Sequence, residues 1–233
     1  MSGTRVFITG IGMITSLGEG VTANRDAFKQ NRSGLRPRGL LPVSEGNRFP
    51  AGEIAGFRPE AGLPRTHALA LTAVREALAG GAAPDAIIIG TTTGGMPVTE
   101  ELLKKGETSP GAYRLHSTSS VAELCAATLG CTGPVITVTT ACSSGTAAIK
   151  LALELLRAGR ARRVLAGGAD ALCRLTYYGF NALQLIDPAG ARPLDSARRG
   201  MSVAEGAGML VLESADAPPA GAVAEVLGGG LSC

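Results

Sequence analysis

Pro134-Val-Ile-Thr-Val-Thr-Thr-Ala-Cys-Ser-Ser-Gly-Thr-Ala-Ala-Ile-Lys150 is the stretch on which the reading of this chain turns. Its first half is β-branched and reads as a strand over 134–140, and from Thr146 the apolar spacing is that of a helix over 146–158. The period changes at Ala-Cys-Ser-Ser-Gly, which leaves room only for a sharp turn. Such a turn lifts the side chain at the bend, Cys142, above the sheet, where the carboxyl ends of parallel strands leave a crevice. The helix start supplies unpaired N–H groups and a partial positive charge, which favour a thiolate and a developing oxyanion. Thioester exchange onto a thiol needs those features. The plainer alternative is a small buried cysteine, with Thr139, Thr140, Ser143 and Ser144 forming an ordinary polar turn and cap.

Outward from this stretch, short apolar runs alternate with helical patterns. Strands are predicted over 6–14, 85–90 and 164–166, and helices over 23–30, 121–129 and 177–185. Leu71, Val74 and Leu78 sit at helical spacing before Gly80-Gly81. Pro97 opens a helix whose Glu100, Glu101, Lys104 and Lys105 read as a solvated face. A Pro/Arg-rich loop covers 188–200, and strands over 208–212 and 222–227 form a terminal pair. Repeated βα units with continuous apolar strands imply an α/β domain with a mainly parallel sheet under helices.

Composition narrows the functional classes. Hydrophobic residues are 45% and charged residues 18% of the 233, ordinary for a globular chain that buries a core without disulfides or metals. A net charge of +3 and 3% aromatics argue against nucleic acid as a partner. The five cysteines, at 125, 131, 142, 173 and 233, include no metal-spaced pair, which points to a reduced, cytoplasmic setting and no metal or cofactor. The start of the chain lacks the layout of a signal peptide. The uncharged run over 124–149 is long enough to span a membrane, but Gly130, Gly133, Pro134 and its many Thr and Ser residues fit a buried strand-turn-helix better. Gly10-Ile-Gly12 after a strand makes a poor dinucleotide loop, because Thr15 replaces the third glycine.

Thr140-Ala-Cys-Ser-Ser-Gly145 resembles the active-site motif of β-ketoacyl-acyl-carrier-protein synthases and polyketide ketosynthases. Four further strings, in chain order, resemble the same family: the opening strand and loop over 6–18, Leu129-Gly-Cys-Thr-Gly-Pro134, Ala166-Gly-Gly-Ala-Asp170, and the Arg192-Pro-Leu-Asp195 and Arg199–Gly208 region. Leu194 and Ala204 depart from the commoner aromatic and Gly, departures expected to touch packing more than chemistry. The resemblance implies a thiolase-like fold, with residues 1–233 forming one half: a five-stranded mixed sheet with helices on its faces. It implies that Cys142 takes an acyl group from acyl carrier protein and that malonyl carrier protein then condenses with it by decarboxylation. Gly90-Thr-Thr-Thr-Gly-Gly-Met96 resembles the loop beside the acyl pocket, making Thr93 and Met96 the acyl-pocket candidates. Thr93 falls where elongating synthases often carry an apolar gate, so its hydroxyl suits a short, polar or conjugated acyl chain or else serves the loop itself.

The family's two decarboxylation histidines belong to a second half whose motifs do not occur here. His67 and His116 are expected at the surface or at a dimer contact. The resemblance also implies a homodimer paired through the strand over 134–140 and a possible separate C-terminal half. Arg157, Arg160, Arg162 and Arg163 could meet an acidic carrier protein or simply end a solvated helix. Two other readings stay open: a non-condensing partner or scaffold subunit, and another thiolase-fold acyltransferase using a second cysteine as base.

Overall fold

A strand with no exposed residue must be covered on both faces, and here that strand is β5, Ala86–Gly90. The computed structural model describes residues 4–37 and 49–232; Cys233 lies outside them. β5 sits in a sheet of order β1-β8-β7-β5-β6, made with Val6–Thr15 (β1), Gly206–Ser214 (β8), Arg163–Asp170 (β7) and Val135–Val138 (β6). The two-residue strands β2 (Gly18–Glu19) and β9 (Ala224–Glu225) extend it at the β1 edge, and β3 (Arg36–Pro37) pairs with β4 (Pro50–Ala51) in a separate ribbon. The sheet is mixed, as expected, but it has seven strands where five were expected, because the two-residue β2 and β9 add to the five longer ones.

Alternation along β5 sorts the two faces. Ile87 and Ile89 join Leu165, Met209 and Val211 under α2 (Arg65–Leu78) and α4 (Ser119–Leu129), while Ala86 and Ile88 join Val164, Ala166 and Leu212 under α5 (Ser144–Arg157). The remaining helices are α1 (Val21–Lys29), α3 (Met96–Lys104) and α6 (Arg174–Ala182). Gly10 and Gly12 let α2 lie directly on β1: a Cβ at either would come within 2.0 Å of the carbonyl oxygens of Ala77 and Ala73. That close packing is the reason for the glycines that otherwise suggest a dinucleotide loop.

Two expectations need correcting. The sheet is not mainly parallel: β7, β5 and β6 are parallel, but β8 runs antiparallel to both β7 and β1. The cause is the connection from Asp170 to Gly206, which starts and returns at the same end of the sheet (the two residues are register partners) and so makes no crossover. Nor do the last two strands pair with each other. β1 lies between them, bonded to β8 on one side and β9 on the other. Among the described residues no helix is long and apolar enough to cross a membrane.

Acidic side chains fasten distant segments. Glu76 of α2 accepts the backbone N–H groups of Met13 and Val21, so it caps α1, whose Gly20 offers no side chain. Glu205, fully buried, accepts from Ile54 and Leu172 N–H groups and pairs with Arg65 at 2.6 Å. Glu100 accepts from the N–H groups of Arg174 and Leu175 at the start of α6. Glu100 therefore does not belong to a solvated face, and α3 is tied to α6.

His67 also departs from its expected place. It lies inside α2 with 0% exposure, its Nε2 2.8 Å from the Ser120 hydroxyl of α4, and its Nδ1 has no hydrogen-bond partner. Ser120 directs its own proton to the Ser117 and Leu115 carbonyls, so its oxygen accepts from the ring Nε2–H. Burial pushes its pKa down from 6.5 to about 4. The unfolded chain therefore binds this proton below about 6.5, whereas the folded chain binds it only below about 4. The stabilisation is full above pH 6.5 and is lost as pH falls toward 4, by up to about 3 kcal/mol. Urea unfolding between pH 7 and 4 is expected to show this slope, and His67→Gln to flatten it while lowering stability at pH 7.

Candidate active site

The parallel strands β7, β5 and β6 are neighbours, and α5 begins over their carboxyl ends. Glycines make the approach possible. A Cβ on Gly90 would lie 2.3 Å from the Ser144 carbonyl carbon and 2.5 Å from the Gly145 nitrogen, and one on Gly168 would lie 3.2 Å from the Gly145 Cα. The first turn of α5 thus rests on bare backbone at the ends of β5 and β7.

Between β6 and α5 the chain makes a 3-10 turn, Ala141–Ser143, entered through Ala141 at φ +53°. A non-glycine residue in this left-handed region carries about 1–2 kcal/mol of strain, so the turn must be held from outside. Ser144 accepts from the Thr140 N–H at 2.9 Å and donates to the Ala141 carbonyl at 2.7 Å. Ser143 donates to the Thr140 carbonyl at 2.9 Å. The serines form a polar turn, as the plainer reading had it, but not a helix cap: Ser143, at the N-cap of α5, makes no side-chain bond to the helix N–H groups. Cys142 is not a core cysteine: it is exposed, whereas Cys125 and Cys173 are buried. Burial pushes the Cys125 thiol up to about 12 and the Cys173 thiol up as well, which leaves both as poor nucleophiles at neutral pH. Among the described residues no acceptor takes the Cys142 backbone N–H, so it is available to an incoming oxyanion.

Cys142 borders an open cavity of about 620 Å³ at the ends of β5, β7 and β8. Its apolar wall includes Met13, Phe180, Met201 and Val203, and its polar wall includes Thr92, Thr93 and Asp170. Ala204 lines it too, so that departure from the family pattern touches the site, whereas Leu194, 99% exposed, does not. Thr93 is nearly buried, and its hydroxyl donates to Asp170 Oδ1 at 2.7 Å. Its hydroxyl proton is therefore used by the loop. Met96 opens α3 and is not among the lining residues. The sequence reading missed the roles of Asp170 and of α6, which contributes Thr176 and Phe180. The string ending in Asp170 was recognisable, but its partners lie 77–79 residues earlier.

Neither histidine lines the cavity. His116 is exposed, with its Nδ1 3.0 Å from the Thr99 hydroxyl. The basic residues 157–163 follow the far end of α5, whose 14 residues span about 20 Å. They serve structure there: Arg157 donates to the Leu227 carbonyl, Arg163 pairs with Glu213, and the N–H groups of Arg162 and Arg163 bond Asp85. They lie at the opposite end of the sheet from Cys142.

A family model described as the N-terminal domain of beta-ketoacyl synthase matches residues 3–217. The chain belongs to the β-ketoacyl synthase family. Nodulation protein E of Rhizobium meliloti (strain 1021) is 34% identical over 254 residues, covering 98% of this chain and 63% of that protein. The chloroplastic 3-oxoacyl-[acyl-carrier-protein] synthase I of Arabidopsis thaliana is 32% identical, over 98% of this chain and 56% of its own length. Among solved structures, the ishigamide ketosynthase/chain length factor superposes with a TM-score of 0.87 at 31% identity, covering 97% of this chain and 63% of that one. The fold is therefore the thiolase-like α/β fold of the ketosynthases. The chain spans less than two thirds of the length of these relatives.

The contact at Gly90 makes a direct prediction. Gly90→Ala places a methyl group against the Ser144 carbonyl and is expected to lower stability by about 1–3 kcal/mol. It is also expected to slow alkylation of Cys142, measured by iodoacetamide labelling and peptide mass mapping.

Proposed function

We propose that this chain is the nucleophile-bearing half of a condensing ketosynthase of the fatty-acid or polyketide type. The observation that carries the reading is the exposed Cys142 thiol at the start of α5, opening onto the cavity. The family membership and the activity printed in the name of the Arabidopsis relative support it.

In this reading Cys142 Sγ, as thiolate, attacks the thioester carbonyl of an acyl group carried by acyl carrier protein. The tetrahedral oxyanion is held by backbone N–H at the turn. Collapse breaks the carbon–sulfur bond to the carrier, whose thiolate leaves and takes a proton, and the acyl group stays on Cys142. Malonyl carrier protein then loses CO2. Its α-carbanion attacks the Cys142 thioester and releases the thiolate, leaving a chain two carbons longer. The decarboxylation needs groups that the cavity lacks among the described residues, since neither histidine lines it. We assign that step to residues of a second half.

The same reading takes residues 1–233 as a single N-terminal domain, working in a reducing, cytoplasmic setting. It makes β6 the contact of a homodimer. Among the described residues β6 bonds only β5, its outer edge is open, and Val135 is 38% exposed.

Intact-mass measurement after incubation with acyl-carrier protein tests the proposal. Wild-type protein is expected to gain one acyl group and Cys142→Ala none. Labelling that survives in the variant refutes it.

A further inference from the structure

Asp170 ends β7, and one of its oxygens gathers donors from three consecutive residues after β5. Its Oδ1 accepts the Thr91 hydroxyl at 2.9 Å, the Thr92 N–H at 3.0 Å, the Thr93 N–H at 2.8 Å and the Thr93 hydroxyl at 2.7 Å. Among the described residues its Oδ2 receives only the Thr92 N–H, at 3.1 Å. The bonding continues across the sheet. The Thr92 hydroxyl donates to the Ala141 carbonyl at 3.2 Å, and the Thr139 hydroxyl at the end of β6 donates to the Thr91 carbonyl at 3.0 Å. A row of hydrogen bonds therefore runs over the carboxyl ends of β7, β5 and β6 in their order in the sheet. It ends on Ala141, the left-handed residue next to Cys142.

We propose that Asp170 is a positioning residue for Cys142, acting through Thr92. The acidic side chain anchors the loop after β5, and the loop holds the bend at Ala141 so that the thiol faces the cavity beside the α5 terminus. An ionised carboxylate is the group suited to this place, because it only accepts and its bonds from N–H and O–H donors are charge-assisted. Thr92 is the link, being the one residue of the three that bonds both Asp170 and the cysteine turn. Among the described residues Asp170 makes no direct hydrogen bond to the cysteine turn and reaches it through this loop.

The effect on acylation rests on the reading of Cys142 as acyl acceptor, but the geometry can be tested without it. The first measurement is the rate of Cys142 alkylation by iodoacetamide at one pH, by peptide mass mapping, with the thermal midpoint of each variant recorded. Thr92→Val removes the hydroxyl donor without changing charge and is expected to slow alkylation about tenfold, since small misplacements of a reacting group act strongly on rate. Thr92→Ser restores the donor and is expected to restore the rate. Asp170→Ala is expected to slow it similarly, and Asp170→Asn, whose single amide oxygen can occupy the Oδ1 place, to recover most of it. Should Asp170→Ala not fold, the Thr92 pair still decides. Wild-type alkylation in Thr92→Val overturns the proposal, as does a Thr92→Ser rate no better than that of Val. Acyl loading from acyl-carrier protein is the second measurement, with the same ordering expected. If wild-type protein takes no acyl group, the proposed function fails while the alkylation ordering still judges Asp170.

Discussion

Everything about this site depends on how closely the first turn of α5 can approach the ends of β5 and β7. With Gly90, Gly145 and Gly168 in contact there, no Cβ separates helix and sheet. A side chain at Gly90 would collide with the Ser144 backbone, and the helix would have to lift. Since the N–H groups and dipole of the helix act only over its first turn, a lifted helix would no longer bring that field to the thiol. The small residues that lower intrinsic helix and strand stability are the ones that make the electrostatics possible.

The bend itself is unfavourable and is retained because its surroundings bond it from several directions. Ala141 adopts a left-handed conformation, and the hydroxyls of Ser144 and Thr92 converge on its carbonyl. Ser143 and Thr140 bond each other across the same turn. Strained residues of this kind persist where neighbouring structure over-determines them. Here the neighbours are the ends of three parallel strands, the least crowded part of an α/β layer and the natural place for a cavity.

A second theme is the use of acidic side chains as long-range fasteners. Glu76, Asp85, Glu100, Asp170 and Glu205 each accept backbone N–H groups from segments far away in sequence. Such bonds satisfy donors that no helix or strand supplies with a partner, and they set loops and helix starts relative to one another. Through Glu100 the loop–α3 unit is joined to α6, and through Glu205 the residues preceding α2 are joined to the end of the β7 connection. The cavity wall is built from those joined pieces, so its shape is a property of the network more than of any one element.

The strand-turn-helix around Cys142, the buried β5 and the α/β layering were legible in the sequence, because each is a local pattern of period and turn residues over a few positions. The five family strings were legible for the same reason. The antiparallel return of β8, the separation of the two terminal strands by β1, the burial of His67 and the capping by Glu100 were not. Each depends on which distant residue arrives alongside, and nothing in a stretch of ten residues encodes its neighbour seventy positions away. Thr93 shows the division well: the chain places a hydroxyl at the edge of the pocket, but only the folded structure shows that Asp170 has already taken it. The sequence by itself determined where Cys142, the proposed nucleophile, stands and what kind of element carries it. The tertiary structure decided what holds that cysteine and what faces it, because hydrogen bonds and close contacts are set by proximity in space.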